Sequence, residues 1–297
     1  MKDEGLMGFA EAWPDWIATS ARWACLVVVL SVCPRPMLAA DKIAAIDLCA
    51  DQAVVALVDH ADIAGLSRWA IDPNLSPVAE QARTLPTLKA SAETVLMSGA
   101  KTVVADAYGD FKTIALLQRL GVTVFRMPAA DNFPDVMSSL EKIAQDLDET
   151  ARGEALRADL QARLDHLAAD RPATRPLAAY YRPDGGTAGS GTAVDAAFAA
   201  AGYRNLAGEL GERGWGKLDL ETLVMHPPEV VVTSFFNNHL WSLHNGFAQH
   251  PVFQTILRQA RLVGVPARLW SCGGWPLVAA AETLAAARDP APQGATP

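Results

Sequence analysis

The chain has 297 residues, of which 51% are hydrophobic and 20% are charged, a composition typical of a folded globular protein. This composition excludes a disordered chain, and the length allows one large domain or two medium ones. A formal net charge of −8, without any segment rich in lysine and arginine, argues against a general affinity for nucleic acid or anionic membranes.

The first part of the chain, residues 1–40, has the pattern of a secretory signal peptide. Arg22 precedes an apolar run over 23–32, and small residues ending at Ala40 follow where a signal peptidase would cut. The run is shorter than the roughly 20 residues that span a bilayer, so we expect export. A lipid anchor at Cys33 is the alternative, which the bulky residue before it disfavours.

The next part of the chain alternates short apolar strands with helical segments, which predicts a mostly parallel, doubly wound sheet. The predicted strands are Ile43–Ile46, Ile63–Leu66, Thr102–Ala105 and Val122–Phe125. The predicted helices between them include Gln52–Val58 and Phe111–Leu120. We therefore assign residues 41–130 to an N-terminal α/β lobe.

A helical periodicity follows, in which apolar residues recur every three or four positions over 133–169. Asp131 or Asn132 can cap the start of this segment. At 1.5 Å per residue, a continuous helix of this length would reach about 50 Å, enough to run along two lobes. We assign residues 131–172 to a linking helix, with a break near Asp146–Thr150 as the alternative.

A second alternating block follows the linking segment, with strands predicted at Leu177–Tyr181, Val230–Thr233 and Leu262–Val265. We assign residues 173–290 to a C-terminal α/β lobe and 291–297 to a tail. The expected fold is α/β, with two doubly wound lobes joined by one long helix and a ligand cleft between them. Ligands of open α/β sheets bind beyond the carboxyl ends of the strands, and aromatic and arginine side chains are concentrated there in this chain.

One helix–strand unit occurs twice in the sequence. Ser91–Met97 followed by Lys101–Ala105 reappears as Asp219–Met225 followed by Glu229–Thr233, with the glutamate, the threonine, the methionine and two valines identical. In each copy a capping Ser or Asp begins a helix with a glutamate in its first turn, and a buried strand follows. The duplication predicts a bilobed protein with homologous halves.

In combination, several motifs resemble those of the class III periplasmic substrate-binding proteins of ABC importers, which carry vitamin B12 and ferric siderophores. The motifs are Ile43–Gln52, Thr187–Thr192, Gly202–Leu206, Trp215–Glu221 and Leu269–Gly274. The resemblance implies two α/β lobes joined by a long helix, no enzymatic activity and no resident cofactor. It also implies a periplasmic location and a ligand that is a metal chelate such as a ferric siderophore, cobalamin or haem. The implied partner is an ABC importer permease dimer, through which alone the protein would contact the membrane.

The same resemblance gives the repeated glutamates a role. Members of the family carry one exposed glutamate per lobe that pairs with arginines of the permease subunits, and Glu93 and Glu221 occupy the matching positions. The alternative is that each carboxylate only complements a helix N-terminus, which contributes roughly 0.3–1 kcal/mol. Matching placement in both halves favours the docking role.

Ten residues are candidates for ligand contact. Aromatic rings suit a large, partly planar corrin, haem or catecholate ligand, because stacking buries apolar area. Arginines suit an anionic ferric siderophore, which they bind through bidentate contacts, and their occurrence in both lobes favours an anionic ligand. The alternatives are core positions for the rings and solvated or Asp-paired positions for the arginines. The candidates are Arg68, Trp69, Tyr108, Arg126, Tyr181, Arg182, Trp215, Trp241, Trp270 and Trp275.

Removal of the signal segment leaves two cysteines, Cys49 and Cys272, one in a strand-end loop of each lobe. We expect two small, buried free thiols. A disulfide across the cleft is the alternative in an oxidising compartment, and it requires Cα atoms within about 7 Å of each other.

Metal and catalytic motifs are weak in this chain. His239, His244 and His250 are loosely spaced, whereas a closed metal site needs three or four converging ligands. The loop Gly189–Gly191 resembles a dinucleotide loop, but Val194 stands where a third small residue is needed. We therefore expect no catalytic residue and no bare metal ion. A bilobed α/β cofactor-handling enzyme and a binder of a bare transition-metal ion are the alternative hypotheses.

Overall fold

The structure is a computed structural model that describes residues 41–182, 184–234 and 250–288. The signal segment, the tail, Trp241, His239 and His244 lie outside the described residues. Within those ranges, no helix combines the length and the apolar character that a membrane span requires.

The first sheet consists of five short parallel strands. They are β1 (Ile43–Ala45), β2 (Ile63–Ser67), β3 (Thr87–Leu88), β4 (Thr102–Ala105) and β5 (Thr123–Arg126). Their order across the sheet is β3-β2-β1-β4-β5, so the chain first builds outward on one side of β1 and then on the other. This reversal makes a topological switch point between β1 and β4, where open α/β sheets bind their ligands.

Four helices accompany this sheet: α1 (Leu48–Leu57), α2 (Ala79–Ala82), α3 (Ala92–Met97) and α4 (Phe111–Arg119). Three of them begin at a side chain that accepts a hydrogen bond from a backbone N–H of the first turn. The capping residues are Asp47, Ser91 and Asp110. The buried alanines and valines of β1 and β4 pack into apolar clusters on both faces of the sheet, as parallel strands covered by helices do.

The linking segment is a pair of helices, α5 (Phe133–Asp146) and α6 (Thr150–Ala169), so the alternative of a break near Asp146–Thr150 is the one present and a continuous 50 Å helix is not. Asp148 has a left-handed φ of 58°, and the N–H of Glu149 donates to the carbonyl of Ala144 at 2.8 Å. These are the features of a Schellman helix end, in which glycine is more usual. Apolar residues of both helices enter the cores of both lobes, so the pair supports the whole molecule.

The second lobe contains a four-stranded parallel sheet and a small antiparallel pair. The strands are β6 (Leu177–Tyr181), β7 (Gly186–Ala188), β8 (Arg204–Asn205), β9 (Trp215–Lys217), β10 (Val230–Thr233) and β11 (Arg261–Gly264). The large sheet has the order β11-β10-β6-β8, and β7 pairs with β9. Each of the seven strands predicted from the sequence is present, with boundaries that differ by no more than one residue.

The helices of this lobe are α7 (Ala193–Ala200), α8 (Leu206–Glu209), α9 (Leu220–Met225), α10 (Pro251–Gln259) and α11 (Leu277–Arg288). The last of these, α11, joins the two lobes. Its Val278 lies in the core of the first lobe, while Leu277 and Leu284 lie in the core of the second. Arg163 of α6 donates two hydrogen bonds to Glu282 of α11, at 2.8 and 2.6 Å, which fixes α11 against the linking pair.

Candidate functional site

A cavity of about 210 Å³ lies between the two sheets, at the carboxyl ends of their strands. One wall comes from α1, from the loops after β4 and β5 and from α5, and the other comes from α7, β9 and the loop that precedes α11. The cavity includes the switch point of the first sheet. It therefore lies where the fold class predicts a ligand cleft.

Two aspartates join the ends of β1 and β4 at this point. The backbone N–H of Asp106 donates to Asp47 Oδ2 at 2.8 Å, and Asp47 also caps α1. Burial raises the pKa of Asp47 to about 6, because the charged carboxylate loses water there. Asp106 accepts a hydrogen bond from the N–H of Tyr108 and so holds the start of the next loop against the cavity.

Aromatic side chains form much of the cavity wall. Tyr108 is 79% exposed and Trp215 is 56% exposed, so both rings are available to a ligand. Trp270 is buried, and its Nε1 donates to Ser234 Oγ at 3.0 Å. Trp275 is half-buried, and its Nε1 donates to the carbonyl of Gln52 at 3.2 Å. These four predicted aromatic residues are therefore brought together around one cavity.

Tyr181, another of the predicted contacts, lies in the core of the second lobe. Its side chain is fully buried and stacks on Phe253 with ring centroids 4.7 Å apart, and burial raises its pKa to about 12. The neighbouring Tyr180 points the other way and packs edge-on against Trp270. The expectation that Tyr181 contacts a ligand is thus corrected, because alternation along β6 directs the ring of Tyr181 into the core.

The three predicted arginines lie outside the cavity lining. Arg68 stacks over the ring of Trp69 at 4.3 Å, and Trp69 is also outside the lining. Arg126 donates to the carbonyl of Ala107 and lies 4.6 Å over Phe111. Arg182 makes an ion pair with a nearby aspartate at 4.0 Å. The described lining contains no lysine, arginine or histidine but does contain Asp106 and Asp131, so the cavity itself does not support the argument for an anionic ligand.

Sequence reasoning missed Gln52 and most of the apolar wall. Gln52 lines the cavity, is 2% exposed, and its Nε2 has no hydrogen-bond partner. Met127, Leu140 and Ile143 add aliphatic surface beside it. Gln52 was missed because the sequence analysis began the helix at Gln52. In the structure α1 begins at Leu48, so Gln52 lies one turn inside the helix.

Cys49 and Cys272 form a disulfide, with their Cα atoms 5.5 Å apart. This corrects the expectation of two free thiols. The first turn of α1 in one lobe meets the loop before α11 in the other at the cavity, and this convergence brings the cysteines into bonding range. Both cysteines line the cavity, and Cys49 is partly exposed.

The repeated glutamates lie at equivalent and exposed positions. Glu93 follows the capping Ser91 in α3, and Glu221 lies in the first turn of α9 after the capping Asp219. Neither glutamate lines the cavity. The two carboxylates are thus free of the ligand cleft, as the docking hypothesis requires.

Side chains that could together hold a metal ion form one group in the part of the chain that the structure describes. The group found there consists of Asp47, Cys49 and Asp106. The sulfur of Cys49 belongs to the disulfide, which leaves two carboxylates where a closed site needs three or four ligands. His250 caps α10, and its Nδ1 accepts a hydrogen bond from the N–H of Val252 at 3.2 Å.

Comparison with known proteins finds a curated relative that matches part of this chain. A cobalamin-binding protein of Halobacterium salinarum is 32% identical over 125 residues, which are 41% of this chain and 34% of the relative. The chain thus matches about a third of the length of this curated relative.

Solved structures resemble the chain over most of its length. The periplasmic heme-binding protein BhuT in complex with two hemes is 25% identical, with a TM-score of 0.66 over 83% of this chain and 98% of that one. The periplasmic heme-binding protein HutB of Vibrio cholerae is 17% identical, with a TM-score of 0.69 over 84% of this chain and 99% of that one. Residues 43–260 match the family model described as periplasmic binding protein. With this match and a bilobed α/β fold around a strand-end cavity, the chain belongs to the periplasmic binding protein family.

Proposed function

We propose that the protein captures a metal chelate in the cavity between its lobes and delivers it to the permease dimer of an ABC importer. The observation that carries the proposal is the aromatic cavity at the switch point of the first sheet. The names of its relatives support a chelate, since one is a cobalamin-binding protein and others are heme-binding proteins. The leader pattern over residues 1–40 supports a periplasmic location.

The size and composition of the cavity support a corrinoid over the other two chelate classes. A volume of about 210 Å³ is smaller than the roughly 300–1,000 Å³ of typical ligand pockets, so a corrin or haem would extend outward along Tyr108 and Trp215. The described lining pairs apolar surface with two aspartates and no cation. Such a wall suits a ligand with neutral amide groups at its edge better than a polyanionic siderophore or the two carboxylates of haem.

The experiment is a titration of the purified protein with cyanocobalamin, haem and a ferric catecholate siderophore. Tryptophan fluorescence and the thermal unfolding temperature report binding, because four aromatic side chains line the cavity and a bound ligand stabilises the folded state. We expect cyanocobalamin to quench the fluorescence and to raise the unfolding temperature. Failure of all three chelates to do either would overturn the proposal.

A pair of tryptophan variants tests whether the ligand binds in the cavity. Trp215→Ala removes an exposed ring of the lining and is expected to weaken binding at least tenfold, which is about 1.4 kcal/mol. Trp69→Ala is the matched control, because Trp69 is also an exposed tryptophan but lies outside the lining. Isothermal titration should give an affinity for the control within about twofold of wild type. If Trp69→Ala weakened binding more than Trp215→Ala did, the binding site would instead lie at the Arg68–Trp69 surface.

The two alternative hypotheses predict different results in the same assays. An enzyme would turn over a substrate in a reaction that cavity variants abolish and that changes at Glu93 and Glu221 leave intact. A bare-metal binder would be stabilised by a transition-metal ion alone. We propose that neither occurs, because family members bind and deliver ligands and because the described acidic cluster keeps only two carboxylate ligands.

A further inference from the structure

A covalent bond joins the two lobes at the base of the cavity. Cys49 is the second residue of α1 in the first lobe, and Cys272 lies in the loop before α11 in the second lobe. Both residues line the cavity. Cys49 is partly exposed there, and Cys272 is buried, so the disulfide presents one of its two sulfur-bearing residues to the space that a ligand would occupy.

The loop that carries Cys272 is fastened to the first lobe at two further points. Trp275 Nε1 donates to the carbonyl of Gln52, which lies one turn beyond Cys49 on α1. Gly273 approaches Ala130 so closely that an added Cβ would lie 1.9 Å from its carbonyl oxygen, so only glycine allows this contact. The disulfide therefore lies among close interlobe contacts and prevents the two cavity walls from separating at their base.

We propose that the Cys49–Cys272 disulfide is a positioning element of the ligand site, which holds the two cavity walls at binding distance and is itself covered by the bound ligand. A preformed cavity loses less conformational entropy when a ligand binds, so the covalent link favours capture. The inference rests on the proposed function, since it takes the cavity as the ligand site. Reduction of the disulfide then loosens the cavity and accelerates release of the ligand.

The rate at which dithiothreitol reduces the disulfide reports whether a bound ligand covers Cys49. A thiolate of dithiothreitol attacks Cys49 Sγ, the S–S bond breaks, and Cys272 leaves as a thiolate that takes up a proton. The second thiol of dithiothreitol then resolves the mixed disulfide, which yields two protein thiols and the cyclic oxidised reagent. A ligand in the cavity lies on the path of attack to Cys49 and should slow the first step.

The test uses the full protein with cyanocobalamin as the probe, or haem if haem is the chelate that binds in the titration. The rate of reduction by dithiothreitol is followed by alkylation of the released thiols and mass spectrometry. We expect saturating probe to slow reduction at least tenfold, and a chelate from the same panel that does not bind to leave the rate unchanged. An equal reduction rate with and without the bound probe would overturn the proposal.

A second measurement separates positioning from a structural role. The dissociation rate of the probe is compared for oxidised protein, for reduced and alkylated protein, and for Cys49→Ser with Cys272→Ser, with circular dichroism to verify the fold. We expect dissociation at least tenfold faster without the disulfide, and the wild-type rate again after reduced, unalkylated protein is reoxidised. An unchanged dissociation rate in folded protein without the disulfide would contradict the inference and leave the proposed function intact. If no chelate binds even the oxidised protein, the proposed function fails and this inference fails with it.

Discussion

Tyr180 and Tyr181 lie on opposite faces of β6, because successive side chains of a strand alternate. Tyr180 packs edge-on against Trp270 at 5.3 Å and Trp215 at 6.2 Å, both of which line the cavity. Tyr181 stacks on Phe253 behind the sheet. A buried ring thus supports the exposed ring of Trp215 from behind, which holds a flat apolar wall in place without a ligand.

Gln52 is the residue of the cavity with the clearest unmet hydrogen bond. Its buried Nε2 has no partner, and leaving such a donor unpaired costs about 1–3 kcal/mol. An acceptor on a bound ligand would satisfy it. We expect Gln52→Glu, which replaces the donor by an acceptor of the same shape, to weaken ligand binding at least tenfold. Gln52→Met, of similar volume, should weaken it less because it adds no repulsion. Isothermal titration measures both, and equal affinities for wild type and Gln52→Glu would show that no ligand acceptor reaches this amide.

We expect Asp51 to make the stability of the protein depend on pH. Burial raises its pKa to about 8, although it accepts hydrogen bonds from Ser67 N at 2.8 Å and Ser67 Oγ at 2.5 Å. Because the folded-state pKa lies above the unfolded value, the contribution to stability is full below about pH 4 and is lost as the pH rises through 8. Between pH 6 and 9 the expected loss in the free energy of unfolding is roughly 3 kcal/mol.

The variant Asp51→Asn tests whether Asp51 causes the fall in stability with rising pH. An amide keeps an acceptor for Ser67 N and mimics the protonated acid, so the variant should show a flatter dependence of unfolding free energy on pH between 6 and 9. Urea unfolding at several pH values measures the difference. At pH 9 the variant should be more stable than wild type. A pH dependence as steep as that of wild type would assign it to another group.

At the scale of elements, length and pattern decide what the sequence predicts. The seven strands predicted from β-branched runs are present, and the duplicated helix–strand units appear as α3 with β4 and α9 with β10. The strands β3, β7, β8 and β9 have only two or three residues, too few for an alternating pattern to emerge. Their position depends on neighbouring strands, as the pairing of β7 with β9 illustrates. The lining of the cavity depends on such contacts too. Trp215 on β9 was predicted from its aromatic ring alone, and Gln52 was not predicted.

The packing of α5 against α6 depends on one small residue. An added Cβ at Gly153 would lie 2.3 Å from the Cβ of Ala144, well inside contact distance. Gly153→Ala should therefore lower the free energy of unfolding by about 1–3 kcal/mol, although alanine favours helices by nearly 1 kcal/mol over glycine. Chemical denaturation measures the change. The double variant Gly153→Ala with Ala144→Gly restores the space and should recover most of the loss, whereas no recovery would indicate a cause other than this contact.

At the scale of the whole molecule, the two lobes behave as one body because three helices share both cores. Val278 of α11 packs in the first lobe while Leu277 packs in the second, and α5 and α6 contribute to both. The disulfide adds a covalent link at the cavity base. Cysteine spacing in the sequence carried no information about this link, because it depends on how loops 223 residues apart converge in the folded chain.

A rigid body of two similar lobes presents two equivalent docking points at a fixed separation. Glu93 and Glu221 lie in the first turns of α3 and α9, both exposed, and exposed Met97 and Met225 end the same two helices. A permease dimer with one cationic site per subunit would engage both glutamates at once. Since the second contact is then intramolecular, losing either one should weaken docking far more than an isolated surface ion pair, worth 0–1 kcal/mol, would suggest.

The charge-removing variants Glu93→Gln and Glu221→Gln test this at both lobes. Each single variant should reduce stimulation of the importer's ATPase in liposomes by a similar factor, and the double variant should abolish it. Ligand affinity should stay at the wild-type value, because neither glutamate lines the cavity. The control is Glu80→Gln with Glu154→Gln, two exposed acidic residues outside the repeated units. Added salt should lower the ATPase stimulation by the wild-type protein toward that of the double variant, since salt screens exposed charges. Equal stimulation by the double variant and the control would reject docking through the repeated glutamates.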